Sequence, residues 1–315
     1  MTTTTAAPAS GKVKQRPGDR WFSGTALGAG VMILVMLAAV AIFLVIQSVP
    51  GLTATSNTAS ILSGNFWEYV WPLAFGTVWA SFLALLMAVP LAVSVALFIS
   101  HYAPRRLAQG LGYVVDLLAA VPSVVFGLWG ILVLAPAVQP VYAWLNANMG
   151  WFPLFAGTVS STGRTIFTAA IVLAVMVVPI ITAICREIFL QTPVLHEEAA
   201  LALGATRWEM IKMAVFPFGR SGIVSASMLG LGRALGETMA VAMVLSVANV
   251  VTFQLFTAEN PGTIPANIAL TFPEAYGVNI NVLIATGLIL FIVTFAVNAI
   301  ARWIVSRRKE FSGAN

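Results

Sequence analysis

Arg233 and Glu237 stand one helical turn apart in an otherwise apolar run, LGLGRALGETMAVAMVLSVAN at residues 229–249. A guanidinium offers paired N–H donors in a fixed fork that matches an oxyanion, and it stays charged at any physiological pH. A carboxylate at i+4 shares its helical face and offsets its charge. Ionisable groups inside an apolar span are costly, so by default they face the interior of a helix bundle or a water-filled path. Such a pair suits transient contact with a passing anion. The competing reading is a static Arg–Glu bridge that only orients helices. Thr238 adds a hydroxyl beside the carboxylate, and Asp116 adds a second carboxylate in another apolar run. One Arg against two carboxylates makes no tight anion site, which fits a path that must release what enters it.

The elements that would hold these residues follow from composition. With 59% hydrophobic and 9% charged residues over 315 positions, the chain is a polytopic membrane protein whose solvent is mostly lipid. The net charge of +5 does not call for nucleic acid, because the basic residues sit in short groups beside apolar spans. Six spans are expected. The first covers Ala26–Gln47, and the second runs from Val70 to about Ser100 with a kink at Pro90. The third runs from Leu107 to about Ala135, with Asp116 inside it, and a Pro-, Gly- and Trp-containing loop follows to Gly163. The fourth fills the interval between Arg164 and Arg186, the fifth runs from Pro217 to near Val250, and the sixth lies between Glu274 and Arg302. Gly232 and Gly236 would let a neighbouring helix pack close to the fifth span. Fourteen of the sixteen Lys and Arg residues then fall on one side, with Arg164 and Arg233 the exceptions. By the positive-inside rule, both termini are cytoplasmic.

A second informative stretch is polar: EEAALALGATRWEMIKMAVFP, residues 197–217. Thr192 is placed to cap a helix beginning at Pro193 and ending near Leu203. Gly204 is a left-handed stop, and Thr206 with Glu209 has the capping-box spacing that opens a second helix. Ala199, Ala200 and Ala202, beside Leu195 and Leu203, offer a small surface to which another protein can approach closely. An amphipathic hairpin lying on the membrane is the alternative.

Glu198-Ala199-Ala200, three residues, Gly204, and Pro217 thirteen positions later resemble the EAA loop by which permease subunits of ABC importers engage their ATPase. This chain has Ala214 and Phe216 where the family usually has Ile and Leu. The run Arg233-Ala234-Leu235-Gly236-Glu237-Thr238, with DLLAAVPSVVFGLWG from Asp116, is similar to the permeases of phosphate importers. The resemblance implies an all-α fold with six transmembrane helices, the type I ABC importer or MetI-like arrangement. Composition and hydropathy add a tail at 1–24, disordered and cytoplasmic, and a first transmembrane helix with an external loop at 25–69. A permease core at 70–305 would contain the coupling loop at 192–217, with a cytoplasmic tail at 306–315.

The partners implied are a homologous second permease, two ATPase subunits carrying ATP and Mg, and an external phosphate-binding protein, all in the cell membrane and with no nucleic acid. ATPase coupling falls to Glu198, Ala199, Ala200, Gly204, Thr206 and Glu209, and the substrate path to Arg233, Glu237, Thr238 and Asp116. The chain itself is not an enzyme. Its Gly11-Lys12 pair is followed by Val13, so it lacks a phosphate-cradling loop, and ATP must be hydrolysed elsewhere. His101 and His196 are isolated, with no metal-ligand spacing around them, and Cys185 stands alone. A permease for sulfate or molybdate, a secondary transporter using Arg233 and Glu237 as a proton-linked pair, and a non-transporting scaffold remain the alternatives.

Overall fold

The computed structural model describes residues 17–309, with no side-chain description for 17, 19, 20 and 304–309. The expected tail at 1–24 lies mostly outside the described residues. Its last part, from Pro17, is already helical.

Helix α1 spans Pro17–Leu52, and its portion to Gln47 forms a unit of its own. Proline suits its first position, where no N–H is needed, and no breaker follows until Pro50. Among the described residues of 21–47 no side chain is buried. That is the character of a helix whose apolar surface meets lipid on all sides.

The second unit, from Ser48 onward, holds everything else. Helix α2 spans Phe66–Leu97 and ends in a π turn at Phe98–Tyr102. Helix α6, Ile166–Leu190, is the central strut and packs against α2 more than any other pair of elements does. The reason is written in α2 as alanines every fourth residue. Ala80, Ala84, Ala88, Ala92 and Ala96 are all within 1% of full burial. Small residues at i, i+4 let two backbones approach in a setting where the hydrophobic effect does not drive helices together. The contact is close enough for the Thr182 hydroxyl of α6 to donate to the Ala92 carbonyl of α2 at 3.4 Å. Where α6 meets the helix at Phe216–Gly236, Gly219, Gly222 and Gly230 do the same work. An added Cβ at each would strike Phe189, Ile188 or Val177.

The expected third span is split. Helix α3, Arg105–Ala119, is followed by a break at residues 120–122 and then by α4, Ser123–Trp129. A π turn at Gly130–Leu134 and α5, Ala135–Met149, complete the membrane-length helix, Ser123–Met149. Pro122 explains the shift, since it cannot continue α3 and instead opens the next helix. The stretch after 135, expected as loop to Gly163, is therefore helical as far as Met149. Helix α3 is amphipathic, with Ala108, Gly112, Val115 and Ala119 turned towards the protein and Arg105, Arg106, Gln109 and Asp116 outward.

After α6 come α7, Val194–Ala202, and α8, Arg207–Met210, which passes through a π turn at Ile211–Val215 into α9, Phe216–Gly236. The fifth span does not continue to Val250. It stops at Gly236, and a separate short helix α10, Met239–Val244, is followed by irregular chain to residue 263. Helix α11, Ile264–Thr271, precedes α12, Val278–Lys309, which runs past the expected core boundary at 305. Six helices are long and apolar enough to cross a membrane, and no strand occurs among the described residues.

Candidate functional site

The break after α9 forms the first site. Glu237 leaves helical geometry with ψ 128°, so the expected shared face with Arg233 ends at the carboxylate itself. Glu237 turns inward instead. It is 9% exposed, and its Oε1 accepts from the Ala240 N–H at 3.1 Å. An interrupted helix within a span leaves N–H groups that no lipid can satisfy, and Glu237 satisfies one of them at the start of α10. Thr238 belongs to the same turn, its hydroxyl donating to the Gly236 carbonyl at 3.2 Å.

The other end of α10 is held by Arg164, which the sequence places at an outer loop. Arg164 Nη2 donates to the carbonyls of Met243 and Leu245 at 3.2 and 3.3 Å. Helix α10 thus has a carboxylate at its N-terminus and a guanidinium at its C-terminus, each complementing the partial charge there. Asn260, fully buried, locks this arrangement. Its Oδ1 accepts from the Ile166 N–H at 2.9 Å, and its Nδ2 donates to the carbonyls of Ser246 and Thr257 at 3.0 Å and of Arg164 at 3.4 Å. These partners lie up to 96 residues apart, and periodicity carries no trace of such pairing. The only available signal was a lone Arg beside apolar runs.

Arg233 stays on the open side of α9. It lines a groove of about 470 Å³ with Ile180, Met228, Leu229, Gly232 and Asn298, and no salt bridge joins it to Glu237 among the described residues. Gly232 and Gly236 lie on that open side too, with no atom of this chain within 4 Å of an added Cβ. The close packing expected of them is carried within the chain by Gly230.

Asp116 does not join this group. It lies on α3, 54% exposed, with Oδ2 3.8 Å from Arg186 Nη2.

The polar stretch forms the second site. Gly204 has φ +85°, and the carbonyls that end α7 are taken up by the N–H groups of Leu203, Gly204 and Ala205. The capping box is complete: Glu209 N–H donates to Thr206 Oγ1 at 3.3 Å, and Thr206 N–H donates to Glu209 Oε2 at 2.8 Å. Thr192 does not cap. It is 4% exposed, its hydroxyl has no partner, and α7 begins at Val194 with Pro193 in the capping position. Thr192 instead belongs to the turn that closes α6, its N–H donating to the Phe189 carbonyl at 3.3 Å.

Ala200 is buried, so Ala199 and Ala202 alone of the three alanines meet solvent, beside Glu198, Leu195 at 79% and Leu203 at 90% exposure. His101, expected to be isolated, is tied into this loop through Nε2, 3.4 Å from Glu197 Oε1. Lys212 sits over the Trp208 ring at 5.1 Å.

Residues 88–310 match the family described as binding-protein-dependent transport system inner membrane component. The chain is 49% identical over 311 residues to the phosphate transport system permease protein PstC 2 of Mycobacterium tuberculosis, covering 94% of this chain and 95% of that one. It is 39% identical over 308 residues to PstC of Mesorhizobium japonicum, covering 94% and 92%. Among solved structures, a bacterial ABC transporter involved in the import of the acidic polysaccharide alginate shares the fold, with a TM-score of 0.59 at 17% identity over 91% of this chain and 96% of that one. The match over residues 88–310 and the identity to the PstC permeases along nearly the whole length place this chain in the family of binding-protein-dependent transport system inner membrane components.

Proposed function

We propose that this chain is the permease subunit of an ATP-driven phosphate importer. It forms the translocation path with a second, PstA-like permease, is driven by two PstB-like ATPases that hold ATP and Mg, and is supplied by an external PstS-like binding protein. The observation that carries this reading is the interrupted span. Glu237 is used up in holding α10, which leaves Arg233 as an uncommitted guanidinium on the open side of α9. At about 1.5 Å per residue, it stands ~20 Å along the helix from Arg220, deep in a ~30 Å apolar layer. A phosphate crossing a low-dielectric path needs a charged donor, and an arginine fork can serve two of its oxygens. The sequence identity to phosphate transport permeases supports phosphate over sulfate or molybdate.

Transport follows alternating access. Closure of the ATPase pair moves the rigid, doubly capped loop around Gly204, and the spans turn so that the path opens outward and then inward. Glu198, Ala199, Ala202 and the exposed Leu195 and Leu203 form the ATPase contact. Ala200, Thr206 and Glu209 keep the loop's shape. The basic residues gathered on one side support a cytoplasmic loop and cytoplasmic termini.

The test is reconstitution of all four components in vesicles with labelled phosphate. Uptake should require ATP and the binding protein. Uptake by this chain alone under an ion gradient would instead establish a secondary transporter, and no flux of phosphate in the complete complex would overturn the assignment.

A further inference from the structure

Helices α3 and α6 and the π turn at Phe98–Tyr102 enclose an open groove of about 580 Å³, whose polar residues are Ser100, Arg105, Gln109, Tyr113, Asp116 and Arg186. Its floor is the Arg186 guanidinium, seated against Gly112, where the lack of a side chain makes room for it. The Arg186 Nε is buried and has no hydrogen-bond partner. Its carboxylate neighbour, Asp116 Oδ2, is 3.8 Å away, beyond the ~2.7–2.9 Å of a charge-assisted hydrogen bond. The guanidinium is therefore attracted to Asp116 without spending its donors there. With Arg105 on the same wall, the groove carries two guanidinium groups against one carboxylate.

The surroundings say what such donors meet. Helix α3 joins the end of one membrane-length helix to the start of the next, so it runs along a membrane surface. At the groove's rim it exposes Tyr113 at 76%, with Leu117 at 72% one turn further along, and α6 adds Leu190 at 58%. Basic pockets between helices at that depth suit phospholipid head groups, and a helix with an apolar flank beside its charges suits the acyl boundary.

We propose that this groove binds the phosphodiester head group of an anionic phospholipid. Arg186 and Arg105 hold the phosphate oxygens, Gln109 and Ser100 meet the glycerol hydroxyls, and the acyl chains lie along Tyr113, Leu117 and Leu190. Asp116 is the counter-charge that the lipid displaces. Inorganic phosphate shares the oxyanion chemistry but would leave the exposed apolar flank uncovered.

The full chain, purified in neutral detergent with equal dioleoyl-phosphatidylglycerol and dioleoyl-phosphatidylcholine, should retain the anionic lipid on native mass spectrometry. Removing one guanidinium in Arg105→Gln, an exposed position that leaves the fold alone, should lower that retention on the order of fivefold. Asp116→Asn should raise it, a gain that a folding defect cannot imitate. Ten millimolar inorganic phosphate should leave the lipid bound. Equal retention of the two lipids, unchanged or reduced retention in Asp116→Asn, or loss of the lipid to inorganic phosphate would each overturn the proposal.

Discussion

Replacing Gly204 isolates one physical effect. With φ +85° and nothing within 4 Å of the position a Cβ would take, a side chain there meets no neighbour, so the whole penalty is backbone strain. For an L-residue in the left-handed region that strain is ~1–2 kcal/mol, and it lowers the population of the native loop geometry about 5- to 30-fold. Asn, which tolerates this region through local hydrogen bonds, should be nearly neutral. Val, β-branched and stiff, should sit at or above the upper end of the range. The assay is phosphate taken up per ATP hydrolysed in the reconstituted complex. Gly204→Asn should keep the ratio near that of the unaltered protein, while Gly204→Ala and Gly204→Val should lower it progressively, even with the ATPase still bound. Equal coupling in Gly204→Val and Gly204→Asn would show that the turn's backbone geometry is not what transmits the motion.

Asn260→Ala removes a fully buried group with four hydrogen-bond partners on Arg164, Ile166, Ser246 and Thr257. It should destabilise the chain by about 3 kcal/mol, read as a lowered melting temperature in detergent. Glu237→Ala should leave the Ala240 N–H unsatisfied and cost ~1–3 kcal/mol, whereas Glu237→Gln, which still offers an acceptor oxygen, should melt close to the unaltered protein. A reporter fused to the C-terminus should read cytoplasmic and one inserted after Ser161 should read external; reversed readings would undo the six-span topology.

What was legible in the sequence was what is local. Gly204, Thr206 and Glu209 set their geometry within a stretch of six residues, so turn chemistry foretold both the left-handed stop and the capping box. Spans one, two, four and six follow from length and hydropathy alone. The split third span was also signalled. Pro122 is a stop, and Ala108, Gly112, Val115 and Ala119 repeat at helical spacing on a face distinct from that of Arg105, Gln109 and Asp116. The apolar residues on both faces of α3 masked this pattern, because they raise its hydropathy towards that of a span.

The break at Glu237 could not be read off, since nothing in RALGETMA forbids a helix. What ends α9 there is tertiary. Ala240 packs against Gly127 of α4, the Arg164 side chain holds the far end of α10, and Glu237 is drawn in to satisfy the freed N–H. Propensity yields to packing in such cases. For the same reason, Ala200 and Thr192 face inward although their neighbours in sequence face out.

The central claim is that phosphate passes Arg233, and uptake of labelled phosphate by the reconstituted complex tests it directly. Arg233→Gln should abolish uptake while the complex still assembles, since glutamine keeps polarity but loses the charge. Lys should restore only part of it, because an ammonium lacks the paired donors. The double variant Arg233→Met with Glu237→Gln removes both charges yet keeps an acceptor for Ala240, and it should be as inactive as Arg233→Gln if the guanidinium serves the anion. Near-normal uptake by that double variant would show that the two residues only neutralise each other, and would remove Arg233 from the path.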